Sequence, residues 1–273
     1  MVKMGNIWDR TSRFLSGHFS AILPIALAGI FVPMMITQTL EPLGEPGAPE
    51  GLIVALSGIS LIAALIVLWA QLAIIALVSE PASARHAGMI ALRRYPAAIG
   101  VSLLILLIFI ALAAPIAAML AASGFWTGAK TGMAAVSPGM LALIVLYAIL
   151  LVPVLLYLSA RLALTMPVVV AERRGAGAIG RSWRLTAGLA AAIIGVFLLY
   201  ILMLIVAHLA AKTVFGSIML LLFGHDGTIT VAGVLTAIAV ALVTTCFTVL
   251  QAAFLATLYL ASADSSDGVA VPV

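Results

Sequence analysis

The residue of this sequence that is most suited to a chemical role is an arginine inside an apolar run. Arg161 is the only charged residue of the stretch 139–171. A charge in hydrocarbon is costly, so such a residue commonly pairs with a polar group or marks a ligand path. Gln71 and Gln251 lie 90 residues before and after it, and Glu172 follows. These four residues form a candidate polar hub within the membrane.

Three interpretations of Arg161 stay open at the level of the sequence. In the hub, its guanidinium group hydrogen-bonds Gln71, Gln251 or Glu172. In the second interpretation, Arg161 lies near the cytoplasmic interface and extends its side chain to the headgroups. In the third, it lines a site for a ligand or an ion.

A second candidate site is a basic and aromatic segment that follows the fourth apolar stretch. Arg181 and Arg184 are three residues apart and share one face of a helix, with Trp183 beside that face. Such a surface suits phosphate groups and packing of an indole at headgroup level. A similar segment after the second stretch contains Arg93 and Arg94. The alternative to headgroup binding is a basic membrane anchor without a ligand.

Residues 161–188 resemble the signature of the membrane domain found in glycerophosphoryl diester phosphodiesterases and in related stand-alone bacterial membrane proteins. In fused members of that family, a separate barrel domain with acidic metal ligands and histidines carries out the hydrolysis, and this chain has no such domain. The resemblance therefore implies a membrane fold and lipid association, and it does not imply phosphodiesterase activity. The residues that carry it are Arg161-Leu162, Pro167 to Val170, Glu172 and Ala178 to Thr186.

Motifs for catalysis and metal binding are missing from the sequence. It contains no His-x-x-x-His pair, no metal-spaced cysteine pair, no Gly-x-Ser-x-Gly and no phosphate-binding Gly-Lys-Ser/Thr loop. We therefore expect a protein that is not an enzyme, with no metal site and no cofactor. The net charge of +4 reflects membrane topology, and we expect no nucleic-acid partner.

The composition requires an apolar environment for most of the chain. Of the 273 residues, 65% are hydrophobic and 8% are charged, whereas soluble domains carry roughly 25% charged residues. So few charges do not cover a globular surface in water, and the bilayer is the solvent that suits this chain. The lone cysteine, Cys246, excludes an intrachain disulfide.

Six apolar stretches are long enough to cross the hydrocarbon core, since a crossing helix has about 20 mostly apolar residues. Lipid offers the backbone no hydrogen bonds, and the stretches lack the period-two alternation of barrel strands. The predicted fold class is all-α: a polytopic membrane helix bundle with about six transmembrane helices. The predicted spans are residues 19–40, 52–79, 97–121, 139–160, 187–211 and 230–262.

Basic residues are concentrated on one side of these spans. Eleven of the thirteen lie there, and only Lys130 and Lys212 lie on the other side. The positive-inside rule places the basic side in the cytoplasm, and an even number of spans returns the C-terminus to it. We expect a multi-pass protein of the bacterial inner (plasma) membrane with both termini cytoplasmic. The eleven residues are Lys3, Arg10, Arg13, Arg85, Arg93, Arg94, Arg161, Arg173, Arg174, Arg181 and Arg184.

The chain divides into three predicted regions. Residues 1–18 form an amphipathic interfacial helix, residues 19–262 form the six-helix transmembrane domain, and residues 263–273 form a short cytoplasmic tail. The apolar run 214–223 is too short to span and is predicted to be re-entrant or interfacial. The apolar face of the first helix consists of Met4, Ile7, Trp8, Thr11, Phe14 and Leu15.

The spacing of Gln71, Arg161 and Gln251 also suggests an internal repeat. Each is followed by a carboxylate, so three helical hairpins related by an axis along the membrane normal explain the pattern. Similar hairpin lengths and Ala/Leu-rich composition explain it as well. The carboxylates are Glu80, Glu172 and Asp264.

The sequence favours a non-catalytic integral membrane protein that associates with membrane lipids, as a scaffold or a partner of another membrane or envelope protein. The alternative is a transporter or permease for an amphipathic or phosphate-bearing solute, which would use the cluster of Arg161 and the two glutamines.

Overall fold

The computed structural model describes residues 4–45, 47–80, 83–125, 136–224 and 227–266, and within them every regular element is a helix. Lys3, Lys130 and residues 267–273 of the predicted tail lie outside the described residues. The α-helices are α1 (Met4–Gly17), α2 (Phe19–Ala26), α3 (Val32–Leu40), α4 (Glu50–Ser79), α5 (Ala84–Ala122), α6 (Pro138–Leu162), α7 (Thr165–Ala171), α8 (Gly177–Leu185), α9 (Ala190–Leu209), α10 (Gly216–Phe223) and α11 (Val231–Ser266).

Six helical segments of the described chain are long and apolar enough to cross a membrane. This confirms the predicted fold class, an all-α polytopic membrane bundle. Two spans join consecutive helices through π-helical turns, at Leu27–Phe31 and at Ala210–Phe215. The spans are Phe19–Gly44, Glu50–Ser79, Ala84–Ala122, Pro138–Ala171, Ala190–Phe223 and Val231–Asp264.

The apolar run 214–223 is part of the fifth span, so the prediction of a separate re-entrant or interfacial segment was wrong. The π-helical turn Ala210–Phe215 carries the helix directly from α9 into α10. The run was too short to span when counted alone, because His208 and Lys212 divide the apolar sequence. Both polar residues are accommodated within one helix, which packs against α11 through α10.

The third span begins thirteen residues before its predicted start. Helix α5 starts at Ala84, where the Ser83 hydroxyl accepts a hydrogen bond from the amide of His86, as in an N-cap. Its 39 residues would extend about 58 Å if straight, longer than a hydrocarbon core of about 30 Å. The basic residues before the apolar part, including Arg93 and Arg94, therefore lie on a helix rather than in a loop.

The core is concentrated where three inner segments meet, namely residues 70–78 of α4, 164–170 around α7 and 252–259 of α11. Most of their side chains are buried, and α4 contacts both α7 and α11. These segments begin next to or shortly after Gln71, Arg161 and Gln251, so the three-part pattern in the sequence corresponds to the packed centre.

Both described ends of the chain meet at one end of the bundle, where α11 contacts α1, α7 and α8. We call it the basic end, because α8 carries Arg181 and Arg184. Helix α1 packs on the last part of α11, and the hydroxyls of Thr11 and Thr257 share a hydrogen bond of 2.7 Å. Ile7 and Thr11 are buried in this contact, whereas Trp8 is 52% exposed. The predicted apolar face of α1 is thus divided between α11 and the surroundings.

The first span crosses the second at a point that requires glycine. A Cβ at Gly29 would lie 2.5 Å from the Cβ of Ala70. Gly29 is in the π-helical turn, where the amide of Val32 donates to the carbonyl of Leu27. Pro33 cannot donate to the carbonyl of Gly29, four residues earlier, so the widened turn is consistent with this proline.

We expect Gly29→Ala to destabilise the folded bundle by about 1–3 kcal/mol, because the added methyl group overpacks the crossing at Ala70. The measurement is thermal unfolding in detergent. The double variant Gly29→Ala/Ala70→Gly should recover most of the loss, since it removes the opposing methyl group. Gly100→Ala is the control, because a Cβ there meets nothing within 4 Å. Equal melting of Gly29→Ala and Gly100→Ala would contradict the close crossing.

Candidate functional site at the basic end of the bundle

The site begins at a break in the fourth span. Helix α6 ends at Leu162 and α7 starts at Thr165, two residues before Pro167. Proline lacks an amide hydrogen and clashes with the carbonyl four residues earlier, so a helix ends or kinks ahead of it. A second proline of this span, Pro153, lies within the continuous α6.

Helix α8 docks on this break through hydroxyl groups. The Ser182 hydroxyl donates to the carbonyl of Arg161 at 2.8 Å, and the Thr186 hydroxyl lies 3.4 Å from the same carbonyl. Ala178, Ser182 and Leu185 form the buried face of α8 at helical spacing. The short amphipathic helix is therefore held against the end of α6 by apolar contacts and by hydrogen bonds to a backbone carbonyl.

The Arg161 side chain packs against two aromatic rings. Its guanidinium carbon lies 4.5 Å from the ring centroid of Trp183 and 5.6 Å from that of Tyr157. The two rings meet edge to face, with centroids 6.0 Å apart. Cation–π contacts of this kind contribute about 0.5–2 kcal/mol, with the higher values at desolvated sites. One guanidinium nitrogen also lies 3.5 Å from the Thr186 hydroxyl.

Glu172 connects three segments of the basic end. One carboxylate oxygen accepts from Nε of Arg181 at 2.9 Å and from the Tyr259 hydroxyl at 3.2 Å. The other oxygen pairs with Nε of Arg174 at 2.9 Å. Because the side chains of Glu172 and Arg181 are each only 18% exposed, this pair is a structural link between the loop after α7, helix α8 and α11.

The predicted hub of Gln71, Arg161, Gln251 and Glu172 does not assemble as one network. Among the described residues, no hydrogen bond joins any two of these four side chains. Arg161 is on the side of α6 that faces α8, and Glu172 instead pairs with Arg181 and Arg174. Gln251 is hydrogen-bonded to Tyr200 of α9. The centre of the bundle is instead packed with apolar side chains of the inner segments.

The five predicted headgroup residues divide into exposed and engaged side chains. Arg184 and Arg93 are exposed, and neither has a carboxylate partner within the described chain. Arg181 is paired with Glu172, and Trp183 covers Arg161 while remaining 38% exposed. Arg94 is on the packed stripe of α5 formed by Ala87, Ala91 and Ala98, so its Nε is buried without a hydrogen bond.

Several residues of the site were not singled out in the sequence. Tyr157 lies one helical turn before Arg161, so the i, i+4 spacing was a usable signal. Ser182 and Thr186 were visible only as parts of the resemblance to the family signature. Tyr259 comes from α11, and no local pattern connects it with Glu172.

No protein-family model, curated protein or solved structure matches this chain. The resemblance of residues 161–188 to the membrane domain of glycerophosphoryl diester phosphodiesterases therefore stays a prediction, and the site is interpreted from its own geometry.

We expect Glu172→Gln to lower the free energy of unfolding by about 1–3 kcal/mol, the range for a hydrogen bond to a charged group in a half-buried position. The exchange Glu172→Arg/Arg181→Glu should recover part of the loss, because it restores an opposite-charge pair. Glu172→Arg/Arg161→Glu should not, since those two side chains have different partners. The measurement is thermal or denaturant unfolding in detergent.

Tyr259→Phe is the matched control for this series, since it removes one hydrogen bond to Glu172 and leaves both ion pairs. Its loss of stability should be smaller than that of Glu172→Gln. Recovery by the Arg161 exchange with no recovery by the Arg181 exchange would contradict the assigned pairing.

Proposed function

We propose that this chain is a non-catalytic, lipid-associated integral membrane protein that holds anionic headgroups at its basic end. The observation that carries the proposal is the exposed arginine surface around docked helix α8. Residues 161–186 contain five arginines and a single carboxylate, Glu172. Glu172 is occupied by Arg181 and Arg174, so the positive charge of Arg184 and Arg173 remains available for anions.

The aromatic residues support a position at the edge of the bilayer. Trp183 is 38% exposed beside Arg184, and Trp8 of the amphipathic α1 is 52% exposed at the same end. Indole rings are enriched at the level of the headgroups, where one part of the ring is apolar and the other is polar. Phosphate groups at that level are within reach of the arginines that flank these rings.

The orientation and the cellular location belong to the same proposal. We place the basic end in the cytoplasm of a bacterial cell and the spans in its inner membrane, in accordance with the positive-inside rule. The cytoplasmic leaflet carries anionic lipids, and each basic residue near its surface contributes about 1 kcal/mol of attraction. A basic end that binds lipid also suits a scaffold or a partner of an envelope enzyme.

A transporter for an amphipathic or phosphate-bearing solute is the second candidate, favoured by a cleft of about 990 Å³ at the opposite end of the bundle. The cleft contains the ion pair of Lys212 with Glu41, whose atoms are 2.9 Å apart. A path through the protein would have to continue between the inner segments. These are lined by side chains such as Leu72, Leu164 and Leu258 that have no exposed surface, which favours the scaffold over the transporter.

We expect Arg184→Ala to reduce the retention of anionic phospholipid about fivefold, the equivalent of about 1 kcal/mol for one basic residue near the surface. The measurement is native mass spectrometry of the protein from micelles that contain phosphatidylglycerol and phosphatidylcholine. Retention of phosphatidylcholine should change little, because its headgroup has no net charge.

Lys212→Ala removes one positive charge at the opposite end and is the matched control, so it should leave the retention of phosphatidylglycerol close to that of the unchanged protein. Equal retention in Arg184→Ala and Lys212→Ala would overturn the headgroup site. The scaffold role is checked by crosslinking in cells, and recovery of no reproducible partner protein would contradict it.

A further inference from the structure

A second candidate site lies on the flank of the bundle, in a groove of about 710 Å³ between α1, α9 and α11. Its lining is almost wholly apolar and includes Met203 of α9 and Phe247 of α11. At one end, Gly5 and Trp8 of the amphipathic α1 form the rim. None of the arginines on and around α8 lines this groove.

The groove lies at membrane depth. Helix α1 is fixed to α11 by the hydrogen bond between Thr11 and Thr257, and an amphipathic helix of this kind lies at the boundary of headgroups and acyl chains. Gln251 precedes Thr257 by six residues, so it is about 9 Å deeper along the helix. The groove therefore opens from the interface into the surrounding hydrocarbon, where the available apolar material is lipid.

Two polar side chains, those of Tyr200 and Gln251, interrupt the apolar lining between α9 and α11, and Asp9 lines the groove at its α1 end. The Tyr200 hydroxyl lies 3.2 Å from the carbonyl of Phe247 and 3.4 Å from Oε1 of Gln251. The amide nitrogen of Gln251 has no hydrogen-bond partner among the described residues. A primary amide has two donor hydrogens, and a donor left unsatisfied in hydrocarbon costs free energy. Gln251 thus offers a hydrogen bond to an acceptor that enters the groove.

We infer that the groove binds one acyl chain of a membrane phospholipid, which enters sideways from the bilayer and places its ester carbonyl against the Gln251 amide. The chain fills the apolar groove between α9 and α11. The glycerol, which is bonded to the ester, lies next to Gln251, and the headgroup extends from it toward α1 and Trp8. An ester carbonyl supplies the missing acceptor, whereas the ether oxygen of a dialkyl lipid is a weaker one. The occupant is therefore a diester phospholipid in preference to its diether analogue.

The site is tested by native mass spectrometry with two phosphatidylglycerols of equal chain length, one diester and one diether. The unchanged protein should retain the diester form roughly two- to tenfold better, the effect of one hydrogen bond. Gln251→Leu should abolish this preference. Gly5→Phe should reduce the retention of both lipids, because a side chain there projects into open space at the rim. Gly100→Phe is the matched control, since a Cβ at Gly100 also meets nothing within 4 Å and lies outside the groove.

Thermal unfolding of each variant establishes that it is folded. Arg184→Ala distinguishes the groove from the arginine surface around α8. Loss of the arginine surface should lower retention of anionic lipid without changing the ester preference. A photoreactive group in the acyl chain should crosslink near Met203 and Phe247. An equal affinity for the two lipids in the unchanged protein would overturn the inference. Full retention in Gly5→Phe, or crosslinks between two protein copies at these positions, would overturn it as well.

Discussion

A backbone carbonyl that is buried in protein needs a hydrogen-bond donor, and the organisation of the basic end follows from this constraint. The fourth span breaks after Leu162, ahead of Pro167, at the edge of the packed centre. The hydroxyl of Ser182 reaches the carbonyl of Arg161 and fixes α8 there. Because α8 is fixed, Trp183 covers the Arg161 guanidinium group and Arg184 is directed outward. The arginine surface around α8 thus follows from the hydrogen bond that the Arg161 carbonyl accepts at the helix break.

The two ends of the bundle differ in how many of their apolar side chains are buried within the protein. At the basic end, the inner segments of α4, α7 and α11 bury most of their side chains. Toward the opposite end, large apolar side chains of the third, fourth and fifth spans face outward, for example Leu107, Leu150 and Val206, each about 60% exposed. Lipid tails are as apolar as leucine, so such surfaces are stable in a bilayer. The exposed apolar side chains are those expected of a helix bundle surrounded by lipid.

The sequence was sufficient for the parts of the fold that depend on hydropathy. Six apolar stretches predicted six spans, and the i, i+3, i+4 pattern of residues 4–15 predicted α1. It was insufficient for the length of the fifth span, which continues through Lys212. A charged residue interrupts the apolar run, so hydropathy alone predicts that the span ends there.

For the site, the sequence identified Arg161, Glu172, Arg181 and Trp183 as residues of interest, but it did not predict that Arg161 packs on Trp183 or that Glu172 pairs with Arg181. Equal spacing of Gln71, Arg161 and Gln251 predicts a similar depth, and it does not determine the direction of a side chain around the helix axis. Arg161 faces α8 because the break at residues 163–164 brings α8 beside it. The pair of Glu172 with Arg181 requires the turn after α7, where Arg173 adopts a left-handed φ of 56°, and no local pattern predicts that turn.

The most direct test of the account is the depth of residue 184 in a bilayer. Cys246 is the only cysteine, so Cys246→Ser provides a background for a single spin label at Arg184→Cys. The ratio of its accessibility to oxygen and to a water-soluble nickel chelate reports its depth. A label at headgroup level on the cytoplasmic side is expected. A label in the hydrocarbon centre, or on the opposite face of the membrane, would contradict it.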